Sequence, residues 1–242
     1  IVRASLHANR DIHFPITERV EVFSCSCCPP NVTRFIPSIG DFLYNFTEDT
    51  VYINQYMASE ADFGDYKITQ ETNYPFDGHV SVKCTASKKL ALRIPSWCSV
   101  WTLRKNGRPV NAEVVNGFAK VDSTAGDEIT LDLVIAPKVV RADRRVSVDR
   151  GMKAVTYGPF VMCLEGVDNG GRLADVELTG KFTVGRDEEL GLPSVYCDAV
   201  RVDTDSLYSD NIAEKPFRAK LIPYFAFANR GECDMRIWNI IR

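Results

Sequence analysis

The sequence contains no uncharged apolar run approaching the roughly 18–20 residues that cross a bilayer as a helix, so it reads as a soluble chain without a membrane partner. Basic charge is not in excess. Twenty-nine Lys and Arg stand against 32 Asp and Glu, and the cations are scattered singly or in pairs such as Lys88-Lys89 and Arg144-Arg145. Nothing there would hold a polyanion, which excludes nucleic acid as a partner. Histidine is scarce: His7, His13 and His79 are the only three and lie in no recognisable motif, so a Cys-His hydrolase would lack its base. The chain has no fixed-period repeat and no low-complexity segment. It opens IVRASLHANRD, with neither an initiator Met nor the charged-then-apolar layout of a secretory signal. Both features predict a chain processed or cut from a longer protein, with cytoplasm and periplasm left open.

Cysteine, by contrast, is plentiful and unevenly placed. Of eight, Cys84, Cys98, Cys163, Cys197 and Cys233 are spread singly and are expected to be reduced core residues. The other three fall within SCSCCPPN, Ser24 to Asn31, where two prolines stiffen the chain. Thiolate is the nucleophile and the metal ligand, and a helix N-terminus favours it through the helix dipole and free N–H groups. Cys27 and Cys28 precede such a start. Zinc would need further ligands, for which Cys25, His7, His13 and Glu21 are nearby, but their spacing matches no standard finger or ribbon. Buried or oxidised cysteines without chemistry are the bland alternative.

From Asn31, an expected N-cap, the apolar residues Val32, Phe35, Ile36, Ile39, Leu43 and Phe46 recur at helical spacing, with Pro37 expected to bend or divide the helix. After Glu48-Asp49 the pattern changes to short strands such as VYINQYM, YKITQET, HVSVKCTA and EITLDLVI, with Asn106-Gly107 as a hairpin turn. The expected fold is mainly β: two consecutive antiparallel β-sandwich domains, at 49–148 and 149–242, divided near Asp143–Arg150, with a helical segment at 1–48. Asp168 to Leu192 reads as a long loop. Asp127-Glu128 and Asp187-Glu188-Glu189 read as solvated turn acids. Trp97, Trp101, Tyr74 and Phe76 are candidate sugar platforms, although strand aromatics more often fill cores. A lone helix cannot bury its own apolar face, which predicts a helical domain upstream.

CSCCPPNVTRFIPSIGDFLYNFTEDTVYINQYMAS resembles the Cys-Cys-Pro-Pro segment of glycoside hydrolase family 127, the β-L-arabinofuranosidase group. TNYPFDG, LALRIPSW, VTYGPFVMCLEGVDN and LIPYFAFANRGECDMRIW match the same family in order, so the resemblance runs from about residue 20 to the end. It implies the C-terminal part of a retaining glycosidase, with Cys27 as nucleophile and zinc ligand and Cys28 as a second sulfur ligand. Zinc would be the cofactor of the complete enzyme. The acid/base Glu, a Glu-x-Cys ligand pair and the sugar-contacting histidines of the family lie upstream in an (α/α) barrel, of which residues 1–48 would be the remnant. No Glu-x-Cys precedes Cys27; Glu18 and Glu21 do not fit, and Pro37 departs from the small residue usual there. The implied partners are an L-arabinose-containing or related oligosaccharide, the upstream barrel and a second copy in a homodimer. The chain alone is expected to be inactive. The competing readings are a non-catalytic carbohydrate-binding module and a purely structural one.

Overall fold

A computed structural model describes residues 27–204 and 206–242. His7, His13, Glu18, Glu21 and Cys25 lie outside the described residues. An α-helix, α1 (Cys28–Ser38), passes into a 3-10 turn at Ile39–Phe42. Pro29 and Pro30 occupy its first turn, where a missing N–H costs no helical bond and the ring presets φ. Asn31 is therefore inside the helix rather than capping it: its amide donates back to the Cys27 carbonyl at 2.9 Å. Pro37 falls one residue before the α-helix ends, so it marks the end instead of dividing the helix.

The chain separates into two compact units with the break between Ile135 and Ala136. The first unit carries β1 (Tyr44–Phe46), β2 (Thr50–Ile53), β3 (Ser59–Asp62), β4 (Lys67–Thr72), β5 (His79–Cys84) and β6 (Lys88–Arg93). It continues with β7 (Trp101–Lys105), β8 (Arg108–Val110), β9 (Val114–Val115), β10 (Phe118–Ser123) and β11 (Glu128–Leu133). They form two sheets, β1-β2-β6-β10-β9 and β3-β4-β5-β11-β7-β8. Pairing is antiparallel except between β2 and β6, a parallel pair that the antiparallel expectation missed. Period-2 alternation explains the layering: Ile129, Leu131 and Leu133 point inward from β11 between half-buried Glu128, Thr130 and Asp132. Ile53, Ile68, Leu90, Leu92, Leu103, Ile129 and Leu131 are fully buried, each side chain contributing roughly 1.5–3 kcal/mol through burial. Trp97, Trp101 and Tyr74 pack against this core, so three of the four candidate sugar platforms are core-facing, while Phe76 is exposed. In TNYPFDG the glycine meets β11 backbone to backbone. A Cβ on Gly78 would lie 1.8 Å from the Leu133 carbonyl oxygen, and the Leu133 N–H bonds the Gly78 carbonyl at 2.9 Å.

The second unit carries β12 (Pro137–Arg141), β13 (Lys153–Tyr157), β14 (Phe160–Glu165), β15 (Val176–Leu178) and β16 (Thr183–Asp187). β17 (Leu192–Thr204), β18 (Ile212–Pro223), β19 (Met235–Arg236) and β20 (Ile240–Ile241) complete it. β12 pairs with β13 throughout, from Pro137 opposite Tyr157 to Arg141 opposite Lys153. The break thus falls ahead of the charged stretch Asp143–Arg150. The expected loop at Asp168–Leu192 holds β15 and β16, whose polar residues are paid for by pairing with β17. All nine strands belong to one sheet, ordered β12-β13-β14-β18-β17-β15-β20, with β16 on β17 and β19 on β14. The last residues close it. β19 pairs with β14, Asn239 exchanges two 2.8 Å backbone hydrogen bonds with Lys153, and β20 runs parallel to β15. The core of Met162, Leu164, Leu178, Val195, Cys197 and Leu221 is enclosed by this nine-stranded sheet.

Asp127 and Asp187, expected to be solvated, are buried. Asn106 and Gly107 both take positive φ, as the hairpin turn requires, and the Asn106 amide donates to Asp127 at 2.6 Å. The Lys105 ammonium at 2.7 Å and the Thr124 N–H and hydroxyl, each also at 2.7 Å, hold the Asp127 carboxyl well below the usual range. A carboxyl depressed on folding contributes stability that is full above its unfolded pKa of about 3.9 and fades as pH falls toward the folded value. Asp127→Asn should therefore lower stability at neutral pH and flatten the acid limb between about pH 5 and pH 2. Urea midpoints across that range check this; an unchanged acid limb would assign the linkage to other carboxyls.

Candidate functional site

The first turn of α1 presents two adjacent thiols. Cys27 and Cys28 are exposed, with their Sγ atoms 3.7 Å apart. Cys27 has helical angles of φ −70° and ψ −34°, so the pair leaves a backbone set by the following prolines. The same prolines have no N–H, so the helix start offers an anion fewer donors than its position in sequence suggests. Thr33 donates to the Pro29 carbonyl at 2.8 Å, and the Asn31 side-chain oxygen accepts from Arg34, which together brace the turn.

Two sulfurs bound to one tetrahedral zinc at about 2.3 Å stand roughly 3.8 Å apart. The observed separation of 3.7 Å is close to that value. The pair amounts to two ligands of the four a tetrahedral ion takes. Among the described residues no group of three or more His, Cys, Asp or Glu is placed to hold a metal. Around the thiols Val32, Phe35, Ile36 and Phe42 are all more than half exposed, and no α1 residue is buried. Cys84, Cys98, Cys163 and Cys197 are buried as expected, Cys233 is half-buried, and the described cysteines form no disulfide with one another.

A second concentration of titratable groups, missed in the sequence, lies in the second unit. Arg230 donates to Glu165 at 2.6 Å and to both Asp168 oxygens, while Lys220 bonds Asp168 at 2.9 Å and also pairs with Asp187. The remaining Glu165 oxygen accepts from the Ala228 N–H at 2.7 Å and faces the Cys233 thiol at 3.6 Å. Burial alone would raise the Asp187 carboxyl, but Lys220 and the Leu190 N–H hold it below the usual range. Burial, then Glu165, pushes the Cys233 thiol up to about 11, the opposite of a reactive cysteine. These charges pair with one another, although the buried Arg230 Nε has no hydrogen-bond partner. Their effect is to pin the LIPYFAFANRG loop against β14, an anchoring role that no local pattern of acids announces.

The two β units are those of a glycoside hydrolase, by the family models they match. Residues 50–135 match the family model for the β-L-arabinofuranosidase GH127 middle domain, and 137–239 match the glycoside hydrolase family 127 C-terminal domain. The chain belongs to glycoside hydrolase family 127. It is 36% identical over 258 aligned positions to the non-reducing end β-L-arabinofuranosidase of Bifidobacterium longum subsp. longum, covering 96% of this chain and 39% of that protein. The crystal structure of a GH127 β-L-arabinofuranosidase from Geobacillus stearothermophilus T6 superposes with a TM-score of 0.90 at 32% identity, over 100% of this chain and 41% of the other. A GH127 β-arabinofuranosidase structure gives 0.84 at 31% identity, over 93% and 40%. The chain thus spans about two fifths of these relatives.

In the native protein Cys27 and Cys28 should react with iodoacetamide well before Cys84, Cys98, Cys163 and Cys197, which should label only on unfolding. Peptide mass spectrometry over time reads this, and early labelling of Cys163 would contradict the burial described.

Proposed function

We propose that this chain supplies the nucleophile corner and the two β domains of a retaining glycosidase acting on β-L-arabinofuranosides or related sugars. The observation that carries the reading is the pair of exposed thiols 3.7 Å apart at a proline-fixed helix start, within a chain of this family. Cys27 would attack the anomeric carbon and carry the glycosyl group until water releases it, in the role a carboxylate plays in most retaining enzymes. Cys28 would hold zinc beside it, and Cys27 would be its second sulfur ligand. Bound zinc supplies Lewis acidity that keeps a thiol deprotonated near neutral pH.

The remaining ligands and the general acid/base would come from a helical barrel domain. The exposed Val32, Phe35, Ile36 and Phe42 of the α1 segment support such a neighbour, since that apolar surface has no cover among the described residues. A positioned acid/base contributes about 10²–10⁴-fold. The 242 residues alone should therefore hydrolyse an aryl β-L-arabinofuranoside at least about 10²-fold more slowly than the Geobacillus relative. Near-complete turnover by the isolated chain would overturn this assignment of roles.

A further inference from the structure

Two neighbouring thiols can react with an oxidant as well as with a sugar or a metal. Cys27 and Cys28 are exposed, with Sγ atoms 3.7 Å apart. A disulfide bond is about 2.05 Å long, so the two sulfurs need to close by roughly 1.7 Å. The backbone opposes that movement only weakly. N–H groups in the first turn of a helix have no intrahelical acceptor, and Pro29 carries no N–H at all. The hydrogen bond a shift at Cys27 would disturb, from the Asn31 amide to the Cys27 carbonyl, is itself exposed to solvent. Cys84, Cys98, Cys163 and Cys197 are buried, which denies an oxidant the same access.

We propose that Cys27 and Cys28 form a reversible redox modification site, closed to a cyclic disulfide by a low-molecular-weight disulfide. One thiolate of the pair attacks a sulfur of the small disulfide, whose S–S bond breaks and releases a first small thiol. The neighbouring thiolate then attacks the protein sulfur of this mixed disulfide and expels the second small thiol. The protein pair loses two electrons, the small disulfide gains them, and the two thiol protons end on the two released thiols. Because the second step is intramolecular, proximity favours closure over a lasting adduct. Adjacent Cα atoms lie about 3.8 Å apart across a trans peptide, short of the roughly 4.4–6.8 Å that ordinary disulfides span, so the ring is strained and easily reduced. Such a bond acts as a switch rather than a staple. Its consequence rests on the glycosidase reading, although its formation does not: the ring offers no thiolate to an anomeric carbon and withdraws both sulfurs from zinc together.

The test exposes the whole 242-residue chain to oxidised glutathione, without zinc or sugar, and then blocks the remaining thiols with iodoacetamide under denaturing conditions. The tryptic peptide VEVFSCSCCPPNVTR holds all three clustered cysteines and is read by fragment mass. It should have lost two hydrogens and carry one carbamidomethyl group, on Cys25, and dithiothreitol should restore all three thiols. Cys25→Ser should still close the ring. Cys27→Ser and Cys28→Ser should each keep a glutathione adduct on the surviving thiol and show at least about tenfold less internal disulfide, with circular dichroism confirming the fold. A bond joining Cys25 to either thiol, or a lasting glutathione adduct on the unmutated chain, would overturn the site and leave the glycosidase reading untouched. Ring closure combined with undiminished residual hydrolysis in Cys27→Ser would keep the site and sink the nucleophile role instead.

Discussion

Closure of the last sheet is the constraint on which the second unit depends. A sheet left open would expose unpaired N–H and C=O groups along its edges. Here a short C-terminal stretch bonds β14, β13 and β15 in turn. Lys153 adds its ammonium to the Ile241 carbonyl. The same stretch, with the residues just before it, carries Arg230 into its buried carboxylates and sets Asp234, Arg236 and Trp238 around a cavity. Backbone closure and charge anchoring are thus carried by one piece of chain.

Charge burial on this scale is stable only when complete. Removing one partner from a buried ion pair leaves the other uncompensated, at a cost of about 3–5 kcal/mol. With Glu165 and Asp187 almost fully buried, the LIPYFAFANRG loop has little freedom to leave its place on β14. The thiol corner follows the opposite logic. It stands on an exposed helix, and what holds it is local: two prolines, a helical Cys27 and the hydrogen bonds from Asn31 and Thr33.

Local signals were legible wherever a short-range rule decides the outcome. Period-2 alternation located β4, β5 and β11, and Asn106-Gly107 marked its hairpin, because both depend on neighbours a few residues away. The thiol pair was legible for the same reason, its spacing being fixed within one helical turn. Where distant pairing decides, the sequence misled. β15 and β16 sit in a Gly- and acid-rich stretch that looks like loop, yet β17 supplies their hydrogen-bond partners. Asn31 has the residue type and position of a cap after two prolines, but proline is itself tolerated in the first turn, so the helix begins before it.

By itself, then, the sequence determined the β character of the chain, the adjacency of Cys27 and Cys28, and the resemblance that pointed to glycoside hydrolase family 127. Only the tertiary structure decided that Asp127 and Asp187 are buried rather than solvated, that the second β domain is one sheet closed by its last residues, and that Asp234, Arg236 and Trp238 share a cavity with Met152 and Leu173. The physical reason is range. Burial and long-range strand pairing depend on which segments meet across the fold, and no window of neighbouring residues contains that information.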